Sequence, residues 1–297
     1  MQTLMNLPAD RDIRFYMANK NNKYLNMKTI IIATNFSGEA ENALKFVGPF
    51  AKKIDAKVIL FNTFNIPLHL SNSLLPASSI TTLEEKNKAL LSRRASKLAT
   101  EYGIEVGFES RLMREVEEEL GDLFTKYNAD FIVMGMASRS VAQDLFGNTT
   151  TSAMMRLKFP VLAVPKGVSF NGMKKILFAY DKLQNGSVAG LDEIRDIAMA
   201  FQAEVEIFHV QKPLEKEELE FSEIDKIEGI FKEVKHSYKK ISSGAVLEEI
   251  QKEIKATKAD LLIMVPQKYG FWESFIHRSK TRVMASGSEI PLLSIPT

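Results

Sequence analysis

The chain has 297 residues, of which 45% are hydrophobic and 26% charged, as in an ordinary soluble globular protein. Its 39 basic residues almost balance its 37 acidic ones, which argues against nucleic acid or an anionic membrane as a partner. The lack of cysteine excludes disulfides, thiolate nucleophiles and cysteine-ligated zinc, and it agrees with a reducing, cytoplasmic location. The apolar runs are too short to span a membrane, and residues 1–26 lack the apolar core of a secretory signal.

The first half of the chain alternates short apolar runs with amphipathic segments. Residues 29–33 are rich in β-branched side chains, a pattern typical of a strand buried on both faces of a parallel sheet. A helix should begin after Ser37, a good N-cap residue, because apolar residues recur there at helical spacing. The later strands are expected near 58–61, 104–108, 131–134 and 161–164, and the later helices near 82–102, 116–127 and 149–157. This order predicts a doubly wound α/β domain with helices on both faces of a parallel sheet.

The second half repeats the apolar segments of the first half in the same order. The four matched pairs are 27–35 with 173–181, 55–61 with 202–208, 129–134 with 259–264, and 159–165 with 290–296. They predict two tandem domains, at residues 27–168 and 172–297, of which the second has a shorter helix near 217–230 and a strand near 234–241. Residues 1–26 have no counterpart, so we expect an N-terminal extension that is an added arm or, in our preferred interpretation, the product of an upstream start codon.

Three segments of the first copy should meet at the carboxyl ends of its strands, where open α/β sheets bind ligands. The candidate contacts are Thr34 and Asn35 after the first strand, Thr63 after the second, and Met134, Gly135, Ser138, Arg139, Gly147, Asn148, Thr149 and Thr150 between the fourth and the fifth. Glycines admit a ligand close to the backbone, a helix start offers free N–H groups to phosphate, and arginine adds a bidentate contact. The same residues are also ordinary turn and cap residues, so their spacing leaves both interpretations open.

Three of these segments resemble the universal stress protein family: strand-Asn-Phe-Ser-helix at the start, Ala-Asp-Phe-Ile-Val-Met-Gly ending at Gly135, and Phe-Pro-Val-Leu-Ala-Val-Pro at 159–165. The duplication resembles the two-domain members of that family. The resemblance implies an adenine nucleotide alpha hydrolase-like, Rossmann-like fold, a stress-response role, and ATP or another adenine nucleotide as ligand, with Mg²⁺ able to accompany it. It also implies pairing through the last strands. We therefore expect a pseudo-dimer within the chain, and we leave open a homodimer formed through the fifth-strand edges.

The first copy matches the nucleotide motif of the family only in part. The resemblance implies the pattern Gly-x2-Gly-x9-Gly-Ser/Thr, with an Asp after the first strand. Gly135 and Gly147 match the outer glycines, whereas Ser138 replaces the middle one. Asn148 replaces the Ser/Thr, and Asn35 replaces the Asp. Because Asn still donates and accepts hydrogen bonds, the first copy predicts a weakened nucleotide site.

The second copy keeps an aspartate, Asp181, but loses the glycine loop. Pro266 and Arg278 stand where the first copy has its outer glycines, and proline offers no N–H to a phosphate. Asp181 is therefore interpreted as vestigial. Residues 268–280 combine aromatic and basic side chains, which either pack beneath a solvated basic rim or hold an anion of another kind.

The sequence contains no pair of residues that we nominate as nucleophile and base, and no Walker A motif. Its histidines lack the spacing of metal ligands, and His209 is expected at the edge of the core. The acidic run at 115–119 is expected to be solvated at a helix start. We favour a non-catalytic stress-response module. The alternatives are a slow ATP hydrolase or phosphotransferase, and a ligand-free scaffold or binder of another small molecule.

Overall fold

The computed structural model describes residues 29–64, 77–112, 115–136, 149–180, 190–211, 221–265 and 289–296. The first half contains β1 (Thr29–Ala33), α1 (Gly38–Ile54), β2 (Lys57–Phe64), α2 (Ala77–Tyr102), β3 (Val106–Leu112), α3 (Val116–Tyr127), β4 (Phe131–Met136), α4 (Thr149–Arg156) and β5 (Val161–Pro165). The second half contains β6 (Lys175–Tyr180), α5 (Leu191–Phe201), β7 (Glu204–Gln211), α6 (Phe221–Ile230), β8 (His236–Ser242), α7 (Val246–Thr257), β9 (Leu261–Met264) and β10 (Leu292–Ser294). The predicted order of these elements is confirmed, although β2 and β3 extend beyond the predicted segments.

The described strands form one ten-stranded sheet in the order β3-β2-β1-β4-β5-β10-β9-β6-β7-β8. Pairing is parallel within each half, and the halves meet where β5 and β10 pair in antiparallel fashion. Counted outward from that pair, the strands follow the same order in both halves. The predicted α/β class with a mostly parallel sheet is confirmed. The expectation of open fifth-strand edges is wrong, because β5 lies between β4 and β10, and β10 lies between β5 and β9.

Helices cover both faces of the sheet. One face packs against α1, α2, α5 and α6, and the other packs against α3, α4 and α7. Because successive side chains alternate between faces, Ile30 and Ile32 enter the first core while Ile31 enters the second, and all three are fully buried. This burial on two faces explains why the strands read as uninterrupted apolar runs.

Corresponding helices in the two halves end in the same way. The C-cap residues of α1, α3, α5 and α7 all adopt the left-handed conformation, and they are Asp55, Asn128, Gln202 and Lys258. Each cap N–H bonds to carbonyls of the last helical turn, which ends the helix and turns the chain toward the next strand. At its other end, α1 begins as predicted, because the Ser37 hydroxyl accepts the N–H of Ala40.

The segment between β5 and β6, residues 166–174, is called the linker below, and Phe170 anchors it. The Phe170 ring packs edge-on against Phe46 and Phe50 of α1, with centroids 5.4 and 5.6 Å away. It also packs against Phe201 of α5 at 5.9 Å, and the rings of Phe50 and Phe201 lie 5.1 Å apart. This aromatic cluster therefore joins helices from the two halves.

Asn42 of α1 fixes the start of the linker. Its amide nitrogen donates to the carbonyls of Pro165 and Val168, both at 3.0 Å, and its amide oxygen accepts the N–H of Gly167 at 3.2 Å. One side chain thus satisfies three backbone groups of the turn after β5, so the linker is held against the first half before it reaches the second.

One residue of the predicted acidic surface run is buried. Glu119 of α3 is 6% exposed and accepts a hydrogen bond from Arg111 of β3 at 2.5 Å. The expectation that all of 115–119 is solvated is wrong at this position, because α3 turns Glu119 toward the sheet. The pairing could not be predicted, since nothing local in the sequence marks Arg111 as its partner.

Replacing Arg111 by alanine should destabilise the protein by about 2 kcal/mol, because the Glu119 carboxylate then stays buried without its cation. The loss is smaller than for a fully buried pair, since the Arg111 side chain is 29% exposed. Urea denaturation measures the change. Arg93→Ala, at an exposed position of α2, is the matched control and should leave the midpoint almost unchanged. Equal midpoints for the two variants would show that the ion pair contributes nothing.

No helix in the described part of the chain is long and apolar enough to cross a membrane.

Candidate functional site

The chain turns sharply where β1 ends. The N–H of Thr34 donates to the Phe61 carbonyl of β2 at 2.8 Å, and its buried hydroxyl accepts the N–H of Phe36 at 3.0 Å. The exposed Asn35 accepts the N–H of Ser37 at 3.1 Å, and Phe36 has a φ of 60°, a region that non-glycine residues rarely adopt. The turn is therefore fixed by side-chain bonds to the backbone, and it leaves the Asn35 side chain at the surface.

The end of β2 presents two polar side chains to opposite faces. The buried Asn62 donates its amide to the Thr34 carbonyl, whereas the half-buried Thr63 lies in register with Arg111 of β3. Sequence reasoning nominated Thr63 and missed Asn62. The signal was available, since a polar residue interrupted an otherwise apolar strand.

Gly135 brings the end of β4 against the start of α1. A Cβ at this position would lie 2.4 Å from the Glu39 carbonyl oxygen and 2.8 Å from the Ala40 nitrogen. The space that we assigned to an approaching ligand is thus filled by the helix backbone. Gly135 is needed for close packing between a strand and a helix.

The first turn of α4 also meets the end of β4. The Thr150 hydroxyl, buried, donates to the Gly135 carbonyl at 2.9 Å. Met134 is buried in the second core, and Thr149 is the first residue of α4. The structure therefore brings together the β1 turn, Gly135 and the start of α4. Ser138, Arg139, Gly147, Asn148 and Asp181 lie outside the described residues.

Charged groups surround the β1 turn. Arg94 of α2 lies over the Phe36 ring, 4.6 Å from its centroid, and bonds to Glu41 of α1 at 2.5 Å. Lys166 of the linker lies 3.4 Å from Glu39. Hydrogen bonds from the backbone of Glu39 and from the Ser37 hydroxyl lower the pKa of the Glu39 carboxyl. Arg94 was missed because only the fold brings α2 to the β1 turn.

The end of β6 in the second half has an aromatic counterpart of this turn. His209 of β7 occupies the position of Asn62, and its Nδ1–H donates to the Tyr180 carbonyl at 3.2 Å. The His209 and Tyr180 rings stack at 4.9 Å, and the Tyr180 hydroxyl lies 2.8 Å from that of Tyr238. His209 is buried at the end of the core, as predicted. In both halves, then, a polar side chain of the second strand supports the carbonyl where the first strand ends.

Within the described ranges, no group of three or more His, Asp or Glu residues could hold a metal ion.

The model of the Universal stress protein family matches residues 26–165. Residues 26–165 belong to the universal stress protein family. This match contains both the β1 turn and the segment from β4 to α4, so the geometry described above for the first half lies within the matched residues. No curated protein matches the chain.

Solved universal stress proteins share the fold. One from Archaeoglobus fulgidus DSM 4304 is 18% identical, with 92% of this chain and 97% of that protein covered at a TM-score of 0.67. A putative universal stress protein from Pseudomonas aeruginosa UCBPP-PA14 is 13% identical. The match covers 93% of this chain and 95% of that protein, with a TM-score of 0.53. A universal stress protein in complex with cAMP is 17% identical. The match covers 47% of this chain and 97% of that protein, with a TM-score of 0.36. At these identities, the first two establish likeness of fold alone.

Proposed function

We propose that this protein is a tandem universal stress protein whose first copy, residues 27–168, binds an adenine nucleotide without turning it over. The observation that carries the proposal is the convergence of the β1 turn, Gly135 and the start of α4 at the carboxyl ends of the strands. Ligands of open α/β sheets bind at this edge, and a helix start offers N–H groups to phosphate. The proposed location is the cytoplasm.

Two regularities support a second copy at residues 172–297. The strands of both halves follow one order outward from the β5–β10 pair, and the C-caps of α1 and α3 recur in α5 and α7. In this proposal the pair of halves replaces the homodimer of one-domain relatives. The second copy contributes architecture, and its Asp181 is a remnant.

Asn35 accounts for the weakness proposed for the site. Its side chain is exposed beside the β1 turn and already accepts the N–H of Ser37. A neutral amide bonds to a sugar hydroxyl less strongly than a carboxylate does. The resemblance to nucleotide-binding relatives places an Asp at this position, so the Asn lowers the affinity without removing the contact.

Millimolar ATP should raise the melting temperature of the protein by about 3 °C, because a ligand that binds only the native state stabilises it. Asn35→Asp should enlarge this shift, since the carboxylate still accepts the Ser37 N–H and adds a stronger acceptor for ribose. Asn171→Asp introduces the same charge at an exposed position of the linker and should leave the shift unchanged. The measurement is a thermal melt with ATP, AMP or no ligand, each with and without Mg²⁺.

Two results would overturn the proposal. A melting temperature indifferent to both nucleotides rejects nucleotide binding and favours the scaffold. Phosphate release from ATP that Gly147→Val abolishes, with the fold intact, rejects the non-catalytic role and favours the hydrolase.

A further inference from the structure

Glu206 places a carboxyl group inside the second half of the sheet. It lies on β7 between Leu177 of β6 and Ser237 of β8. The matching position in the first half is Ile59, which lies between its own two neighbouring strands and is almost fully buried. A charged residue therefore replaces a core isoleucine.

A second carboxyl group faces Glu206 from the helix above it. Glu253 of α7 is 7% exposed. It is the eighth residue of α7, and the eighth residue of the corresponding helix α3 is Leu123. Leu123 is fully buried in the core of the first half. Two residues of one apolar core in the first half, one on a strand and one on a helix, thus correspond to glutamates in the second half.

The two carboxyl groups have only partial compensation for their charge. Glu253 receives a hydrogen bond from Lys239 of β8 at 2.5 Å, and it also bonds to the Glu206 carboxyl. The Oε1 atom of Glu206 is buried and has no partner among the described residues. Lys175 of β6 contributes a weaker attraction. Two negative charges cannot easily share this site, because burial and mutual repulsion both penalise the second one.

We propose that Glu206 and Glu253 share one proton, and that the shared proton forms an acid-dependent lock between α7 and the sheet of the second half. Lys239 donates a hydrogen bond to Glu253, so the proton resides on Glu206 and is donated to Glu253. Because Ile59 and Leu123 hold the matching positions of the first half, the shared proton has no counterpart there. The lock requires no nucleotide, so it stands apart from the function proposed above.

The direction of the pH effect follows from the environment of Glu206. The pKa of Glu206 is raised from its ordinary value of 4.5 to about 7. Burial is the largest cause, followed by the hydrogen bond to Glu253 and the charge of Glu253. A group with a raised pKa contributes stability that is fully present below its unfolded value and is lost as the pH rises through its folded value. The lock is therefore closed at pH 5 and open at pH 8.

Carbon-detected NMR of the wild-type chain, labelled at the glutamate carboxyl carbons, tests the shared proton directly. One glutamate should titrate near neutral pH, and the α7 amides should exchange hydrogen faster at pH 8 after correction for the intrinsic rate. If every observed glutamate titrates below pH 5.5, the proposal is wrong. This measurement needs no variant, so a folding defect cannot obscure it.

Glu206→Gln tests the consequence for stability. Glutamine keeps the shape of the protonated side chain and can donate to Glu253 at any pH. Between pH 5 and pH 8 the melting temperature of the wild type should fall by about 4 °C more than that of Glu206→Gln. Glu248→Gln, which removes an exposed carboxyl from the same helix, should behave as the wild type does. The lock is refuted if Glu206→Gln retains the wild-type dependence on pH.

Discussion

Gly135→Val should destabilise the protein by about 3 kcal/mol or more, which is at the upper end of overpacking effects. The new Cβ would lie 2.4 Å from the carbonyl oxygen of Glu39, which belongs to the backbone of α1 and cannot rotate away. Either α1 moves off the sheet or β4 bends, and each movement also disturbs the contact between the Gly135 carbonyl and Thr150. Urea denaturation, monitored by circular dichroism, gives the change in the free energy of unfolding.

Gly38→Ala is the matched control for this substitution. Gly38 is the first residue of α1, no atom lies within 4 Å of the position of a new Cβ, and its φ is not positive. Alanine should leave the stability unchanged or raise it by about 0.5 kcal/mol, because it restricts the unfolded chain. If Gly135→Val unfolds within 0.5 kcal/mol of the wild type, α1 does not pack against β4 as described.

The second large effect is expected at Phe50. Phe50→Ala should cost about 3 to 5 kcal/mol, because it removes a buried ring and leaves a cavity that its neighbours fill only in part. The Phe50 ring contacts Phe170 and Phe201 in the aromatic cluster, and it packs edge-on against Phe131 of β4 at 6.4 Å. Since these rings belong to both halves, hydrogen exchange should rise in α1 and also in α5.

Phe108→Ala provides the comparison for Phe50. Phe108 lies on the edge strand β3 and is 39% exposed, so its removal should cost well under half as much. If Phe50→Ala destabilised the first half alone, the aromatic cluster would not couple the two halves. Differential scanning calorimetry would then resolve two separate transitions.

Much of the fold could be predicted because its signals are local. The β-branched run at 29–33 predicted β1, and the helical spacing after Ser37 predicted α1. The repeat of the same segments predicted the elements of the second half. The start of β3 was predicted two residues early and its end four residues early, because strand ends depend on pairing with β2. The pairing of β5 with β10 joins opposite ends of the chain, and no local pattern could predict it.

The candidate site was less predictable because its contacts are distant in sequence. Asn62 supports the Thr34 carbonyl across 28 residues, and Arg94 reaches Glu41 across 53. Gly135 was nominated as a position needing glycine for a ligand, and the structure shows a separate need for it, because the backbone of α1 packs against it. A sequence marks such a glycine without showing what approaches it.

Because β5 and β10 pair within one chain, a single substitution changes the sequence of only one of the two halves. Where two identical chains associate, every substitution appears twice, and association weakens on dilution. Here both partners belong to one polypeptide, so their association is intramolecular and independent of protein concentration. The two sides of the pair can therefore differ in sequence, as they do at Glu206, which corresponds to Ile59 of the first half. One covalent chain thus holds the two halves together at any protein concentration while their sequences differ.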